Sequence, residues 1–134
     1  MPTEKLEPFS LRLPASVVVA LEAAARRQST YGSKLAAELV TTGIRSIEHP
    51  AIDFERDAEG GRKARLAGKR VAVWIVVDTV RRLGRGKAAV NLGLPPSLVV
   101  AALNYAAAFP DDIREDERRG TRDLAECGLA EAGT

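Results

Sequence analysis

Phe9-Ser10-Leu11-Arg12-Leu13-Pro14 is the stretch on which the fold turns. Apolar Phe9, Leu11 and Leu13 alternate with polar Ser10 and Arg12, the two-residue period of a strand with one buried face. Pro14 stops that strand and suits the first turn of a helix, where a missing N–H costs little. The spacing then predicts a helix to about Arg27, with Val17, Val18, Leu21, Ala24 and Ala25 on one stripe. Gln28-Ser29-Thr30 breaks the pattern, and Ser29 or Thr30 reads as the N-cap of a second helix. That helix carries Leu35, Leu39, Val40, Gly43, Ile44 and Ile47 on one side.

A lone five-residue strand leaves its backbone groups unpaired. Followed at once by two amphipathic helices, it has one economical solution: two chains pair their strands antiparallel, and four helices cover the apolar face. The opposite face of the two-stranded ribbon presents Ser10 and Arg12, and such a ribbon fits the major groove of B-DNA. Arginine reads guanine through paired bonds to O6 and N7. A second reading stays open at this point, a helical hairpin whose leading strand serves dimerisation alone. Glu4, Glu7 and the slight acidic balance of residues 1–61 favour it.

Further along, residues 49–61 (HPAIDFERDAEGG) are polar and bounded by His49-Pro50 and Gly60-Gly61, the composition of a linker. Residues 62–73 give two short alternating pieces around Ala67-Gly68, a hairpin signal. A helix is expected from Trp74 to Leu83, with Val73, Val76, Val77, Val80 and Leu83 turned inward. Gly84-Arg85-Gly86 ends it. A short helix from Lys87 to Leu92, a turn at Gly93 and a helix from about Pro96 to Ala108 complete a second unit, 62–113. From residue 114 to 134 charge dominates, and disorder is expected because so little apolar surface cannot offset chain entropy.

Within an expected first domain of residues 1–48, the stretch from about Leu6 to Ile47 resembles the ribbon-helix-helix repressors, the group of Arc, MetJ and the CopG-like antitoxins, in strand register, proline and both helical stripes. The resemblance implies a homodimer on double-stranded operator DNA. It also implies base contacts from Ser10 and Arg12, and phosphate contacts at the start of the second helix from Thr30, Ser33 and Lys34 through backbone N–H groups. Tyr31-Gly32 departs from the small polar residues usual there. Gly68-Lys69-Arg70-Val71-Ala72-Val73-Trp74, the helices that follow and Leu94-Pro95-Pro96 resemble a small helix-turn-helix-like family found in VapB-type antitoxins. Lys69 and Ala72 stand where that family has threonine and proline. This likeness implies a toxin partner, a PIN-type ribonuclease, bound by tail residues Arg122, Leu124 and Leu129.

Ala89, Gly93 and Val99 fall where helix-turn-helix motifs place a small residue, a turn glycine and a core residue. The helix after Gly93 nevertheless offers only Ser97, Asn104 and Tyr105, without lysine or arginine, which suits a scaffold better than a reader of bases. Arg62, Lys63, Arg65, Lys69 and Arg70 are candidates for extra contacts to the DNA backbone.

The expected fold class is thus mainly α: a ribbon-helix-helix dimer followed by a small helical domain with a short β-hairpin. Aromatics make up only 4% of the chain, so cores must be built from Ala, Val and Leu. The net charge of +2 hides an uneven distribution. Nine cations between Arg62 and Lys87 face Asp78 alone, whereas eight acids after Pro110 face four arginines. Cys127 is the single cysteine and suits a reducing, cytoplasmic setting. Neither a membrane span, a phosphate-binding glycine loop nor metal-ligand spacing is present in the sequence. His49 before Pro50 reads as a helix-ending residue, so no catalytic group, cofactor or metal is expected. The leading function is an antitoxin that represses its own promoter and neutralises a toxin; the runner-up is a stand-alone dimeric regulator.

Overall fold

The computed structural model describes residues 4–56 and 61–126, the side chains of 124–126 excepted. Among them are six helices and one three-stranded antiparallel sheet. The chain divides into two compact units, 1–44 and 45–134. Each is described by itself.

In the first unit, residues 4–14 have no regular secondary structure, and α1 runs from Ala15 to Arg27. Pro14 lies one position earlier than expected, as the N-cap: its carbonyl accepts the N–H groups of Val17 and Val18. At the other end Ser29 N–H donates to Arg26 O and Thr30 N–H to Ala25 O, with Ser29 at φ 56°. This is a Schellman closure, with serine in the left-handed position glycine usually takes. Ser29 and Thr30 therefore finish α1 rather than cap its successor. The second helix, α2, spans Gly32–Glu48 and opens on Leu35 N–H to Tyr31 O. Within this unit only Ala25 and Leu35 are fully buried among the described residues.

The second unit takes in the end of α2 from Arg45 and continues into β1, Ile52–Arg56, inside the stretch expected to be a linker. The signal was an alternation, Ile52 and Phe54 inward against Asp53 and Glu55, masked by polar composition. Strand β1 pairs antiparallel with β2, Arg62–Leu66, in the register Ile52↔Leu66 to Arg56↔Arg62. The expected turn around Ala67-Gly68 joins β2 to β3, which is only Val71–Ala72.

Helix α3, Val73–Leu83, follows without a break. Val73 and Val76 are buried as expected, and Thr79 joins them by bonding its hydroxyl to Ile75 O. Leu83, expected inward, is 38% exposed because the helix ends there. Gly84 (φ 83°, ψ 164°) makes the corner into α4, Arg85–Leu92, in a backbone region essentially closed to other residues. Gly93 closes α4 and Pro95 caps α5, Pro96–Ala108. The chain direction turns by 112° between these two helices. No single helix among the described residues is long and apolar enough to cross a membrane.

The last helix, α6, spans Pro110–Glu126, where the sequence suggested disorder from residue 114. Three things order it. Ile113 enters the core formed by Ile52, Leu66, Val73, Val76, Val99 and Tyr105. Its charges are matched along the helix, Arg114 with Asp111, Arg118 with Glu115 and Arg119 with Asp116. Finally, Asp111 and Asp112 sit in the first turn, where the helix dipole favours anions.

Candidate nucleic-acid interface

Ser10 and Arg12 both lie exposed in the segment before α1. Their apolar neighbours are exposed as well: Phe9 is 88%, Leu11 59% and Leu13 36% accessible. Val17 and Val18 on α1, and Leu39, Val40 and Ile44 on α2, are also uncovered. Both helical stripes read from the sequence therefore form, yet one chain fully buries only Ala25 and Leu35 of them.

The three residues expected to meet phosphate separate into two groups. Thr30 is corrected, since its backbone N–H is already bonded to Ala25 O at 2.9 Å. Ser33 and Lys34 are exposed in the first turn of α2, ahead of the first intrahelical bond, and keep open N–H groups.

The hairpin cations are less available than their number suggests. Arg65 bonds Asp53, directly opposite it across the strands, at 2.7 Å and reaches Glu55 at 3.4 Å. The bond to Asp53 holds its guanidinium pKa above the usual value. Arg62 and Lys63 are half-buried. Only Lys69 and Arg70 stand exposed, in the turn between β2 and β3. Of the expected tail residues, Arg122 is exposed on α6, Leu124 lies in the helix, and Leu129 falls outside the described residues.

On α5, Ser97 and Asn104 are exposed, but Tyr105 is buried. Its hydroxyl accepts a hydrogen bond from Arg45 at 3.2 Å, and Arg45 also bonds Asp112 at 2.5 Å and lies over the Phe109 ring at 4.0 Å. Burial disfavours the Arg45 cation, but the bonds to Asp112 and Tyr105 outweigh it and raise its pKa. Burial raises the Tyr105 pKa against the opposing pull of Arg45. This cluster joins residues 60 and more positions apart, and no local pattern announces it.

A second grouping is exposed and basic. Arg81, Arg82, Arg85 and Lys87 surround the corner at Gly84. Sequence reasoning counted them in the basic middle of the chain without assigning them a site. Among the described residues, no group of three or more His, Cys, Asp or Glu side chains stands close enough to hold a metal ion. Compared with known proteins, the chain matches no family model, no curated protein and no solved structure.

Proposed function

We propose that this protein is a homodimeric, DNA-binding transcriptional regulator of the ribbon-helix-helix type, acting as an antitoxin. The observation that carries the reading is the uncovered apolar surface of residues 9–44. Leaving so many large apolar side chains in water is unfavourable by about 25 cal/mol for each Å². Two-fold pairing of residues 9–13 would cover Phe9, Leu11 and Leu13 and turn Ser10 and Arg12 outward as a ribbon. The open N–H groups of Ser33 and Lys34 would flank that ribbon on phosphate.

The second unit supports the antitoxin half of the reading through its likeness to VapB-type proteins. Its α4-turn-α5 element has the expected small residue Ala89, turn residue Gly93 and core residue Val99, with Ala89 and Val99 buried. A turn of 112° is in the range of helix-turn-helix pairs. The stand-alone regulator is favoured by one observation: residues 114–126 of the tail assigned to a toxin are helical in α6, with Asp116 buried.

Arg12→Ala tests the DNA claim. Its loss should cost about 1 to 3 kcal/mol for each half-site on the protein's own promoter and relax discrimination against scrambled DNA. Binding titrations at two salt concentrations measure both; equal promoter affinity for the two proteins removes Arg12 from the reading surface. Co-purification of a second small protein after native expression separates the antitoxin from the stand-alone regulator.

A further inference from the structure

The corner between α3 and α4 carries four cations within seven residues, Arg81, Arg82, Arg85 and Lys87, and all are exposed. Elsewhere in this unit Arg114 is balanced by Asp111, Arg118 by Glu115 and Arg65 by Asp53, while the exposed Lys69 and Arg70 of the hairpin turn make no ion pair among the described residues. At the corner the balance is incomplete. Arg82 pairs with Asp78 at 3.1 Å and Arg81 reaches Glu117 at 3.6 Å, both while largely exposed. Arg85 and Lys87 make no ion pair among the described residues.

Beside these cations runs a shallow groove of about 520 Å³ lined by Leu83, Gly86, Lys87, Val90 and Asn91, with no carboxylate in it. Gly86, Lys87, Val90 and Asn91 are spaced to share one face of α4. That face is uncovered: Val90 is 84% exposed, and a Cβ on Gly86 would meet nothing within 4 Å. A helix face with a bare glycine, a lysine, a methyl-bearing valine and an amide, flanked by arginines, matches the chemistry of a DNA groove. The cations suit phosphates, the valine a thymine methyl, and the asparagine a base edge.

We propose that the α3–α4 corner is a second contact surface for duplex DNA, with Arg85 and Lys87 on the phosphate backbone and the open face of α4 toward a groove. This deepens the DNA-binding reading above and rests on it only for the choice of nucleic acid. It places the second unit's DNA contact at the corner, which adds an open helix face to its cations, rather than at the hairpin, where Arg65 is neutralised by carboxylates and only Lys69 and Arg70 stand exposed.

The test compares the full chain with the double variant Arg85→Gln/Lys87→Gln on a random-sequence duplex, between about 50 and about 200 mM salt. Both side chains are exposed, so the thermal midpoint and helical content should be unchanged. Random-duplex affinity should fall roughly tenfold at the lower salt, and the slope of log affinity against log salt should flatten by about 1 to 2. Lys87→Glu alone should weaken binding further than Lys87→Gln. An unchanged slope overturns the proposal and leaves an acidic protein surface as the occupant. So does a loss that appears only in Lys69→Gln/Arg70→Gln, which returns the contact to the hairpin. The two readings fail separately. If wild type and Arg12→Ala bind promoter equally while the corner variant flattens the slope, the ribbon reading fails and this one stands; the reverse pattern removes the corner alone.

Discussion

Asp116 shows how one side chain can complete a sheet. Continuing the β2–β3 register would set Ala64 opposite Val73, where the chain has already turned into α3. The Ala64 N–H instead donates to Asp116 Oδ2 at 3.3 Å, and the other carboxylate oxygen meets Arg119 at 3.0 Å. Burial raises the Asp116 pKa, with the Ala64 N–H and Arg119 pulling the other way. The folded state therefore holds the Asp116 proton more tightly than the unfolded chain does. This contribution is fully present below the ordinary aspartate value and is lost as pH rises through the raised folded value. Asp116→Ala leaves the buried Ala64 N–H without its acceptor and should cost about 1 to 3 kcal/mol. Asp116→Asn keeps an acceptor but no titrating carboxyl, so its stability relative to wild type should improve as pH climbs from about 4 toward neutrality. Urea midpoints of the three proteins across that range check both statements; parallel pH profiles for wild type and Asp116→Asn would refute the assigned titration.

At the scale of elements, legibility followed local periodicity. Helices α1 to α5 were readable to within a few residues because their apolar spacing and their breakers, Pro14, Gly84, Gly93 and Pro95-Pro96, lie in the same short windows. Strand β1 was missed because five alternating residues inside a polar run carry little signal until β2 is beside them. Helix α6 was missed because its local signals, the i,i+3 ion pairs and first-turn acids, were read only as charge density, and what docks it comes from elsewhere: Ala64 on β2, the core around Ile113, and Trp74 on α3. Trp74 lies against the α6 backbone so closely that a Cβ on Gly120 would sit 2.5 Å from its Cζ2 and 2.7 Å from its Cε2. Glycine inside a helix ordinarily loses about 1 kcal/mol to alanine, so propensity alone says Gly120→Ala should stabilise. The indole is rigid and must move, and overpacking of that kind typically costs about 1 to 3 kcal/mol. We expect the steric term to win, giving a net loss of stability together with a shift in the emission of Trp74, the single tryptophan. A more stable Gly120→Ala protein with unchanged emission would show that α6 does not rest on Trp74.

For the molecule as a whole, the two units differ in how they are held together. The second has a continuous core from Ile52 to Ile113 and can stand on its own packing. The first buries only Ala25 and Leu35 among the described residues while exposing Phe9, Leu11, Val17, Val18, Leu39 and Ile44. A net stability of a few kcal/mol cannot come from so small an interior. Under the proposed dimer, the missing core is the second copy, so folding of the first unit and association are one event. Its unfolding midpoint should then rise with protein concentration, whereas that of the second unit should not. Trp74 lies in the second unit, so its fluorescence follows that unit, while far-ultraviolet helicity follows both. Leu11→Asp places a carboxylate on the strand face proposed to be buried, twice in each dimer, and should cost several kcal/mol. The expected outcome is a monomer by sedimentation that has lost the helicity of α1 and the start of α2 but keeps wild-type tryptophan emission. A Leu11→Asp protein that remains dimeric with an unchanged midpoint would mean that the ribbon's faces are reversed or that its strands do not pair. A monomer with full helicity would mean that α1 and α2 fold without a partner, which the exposed stripes argue against.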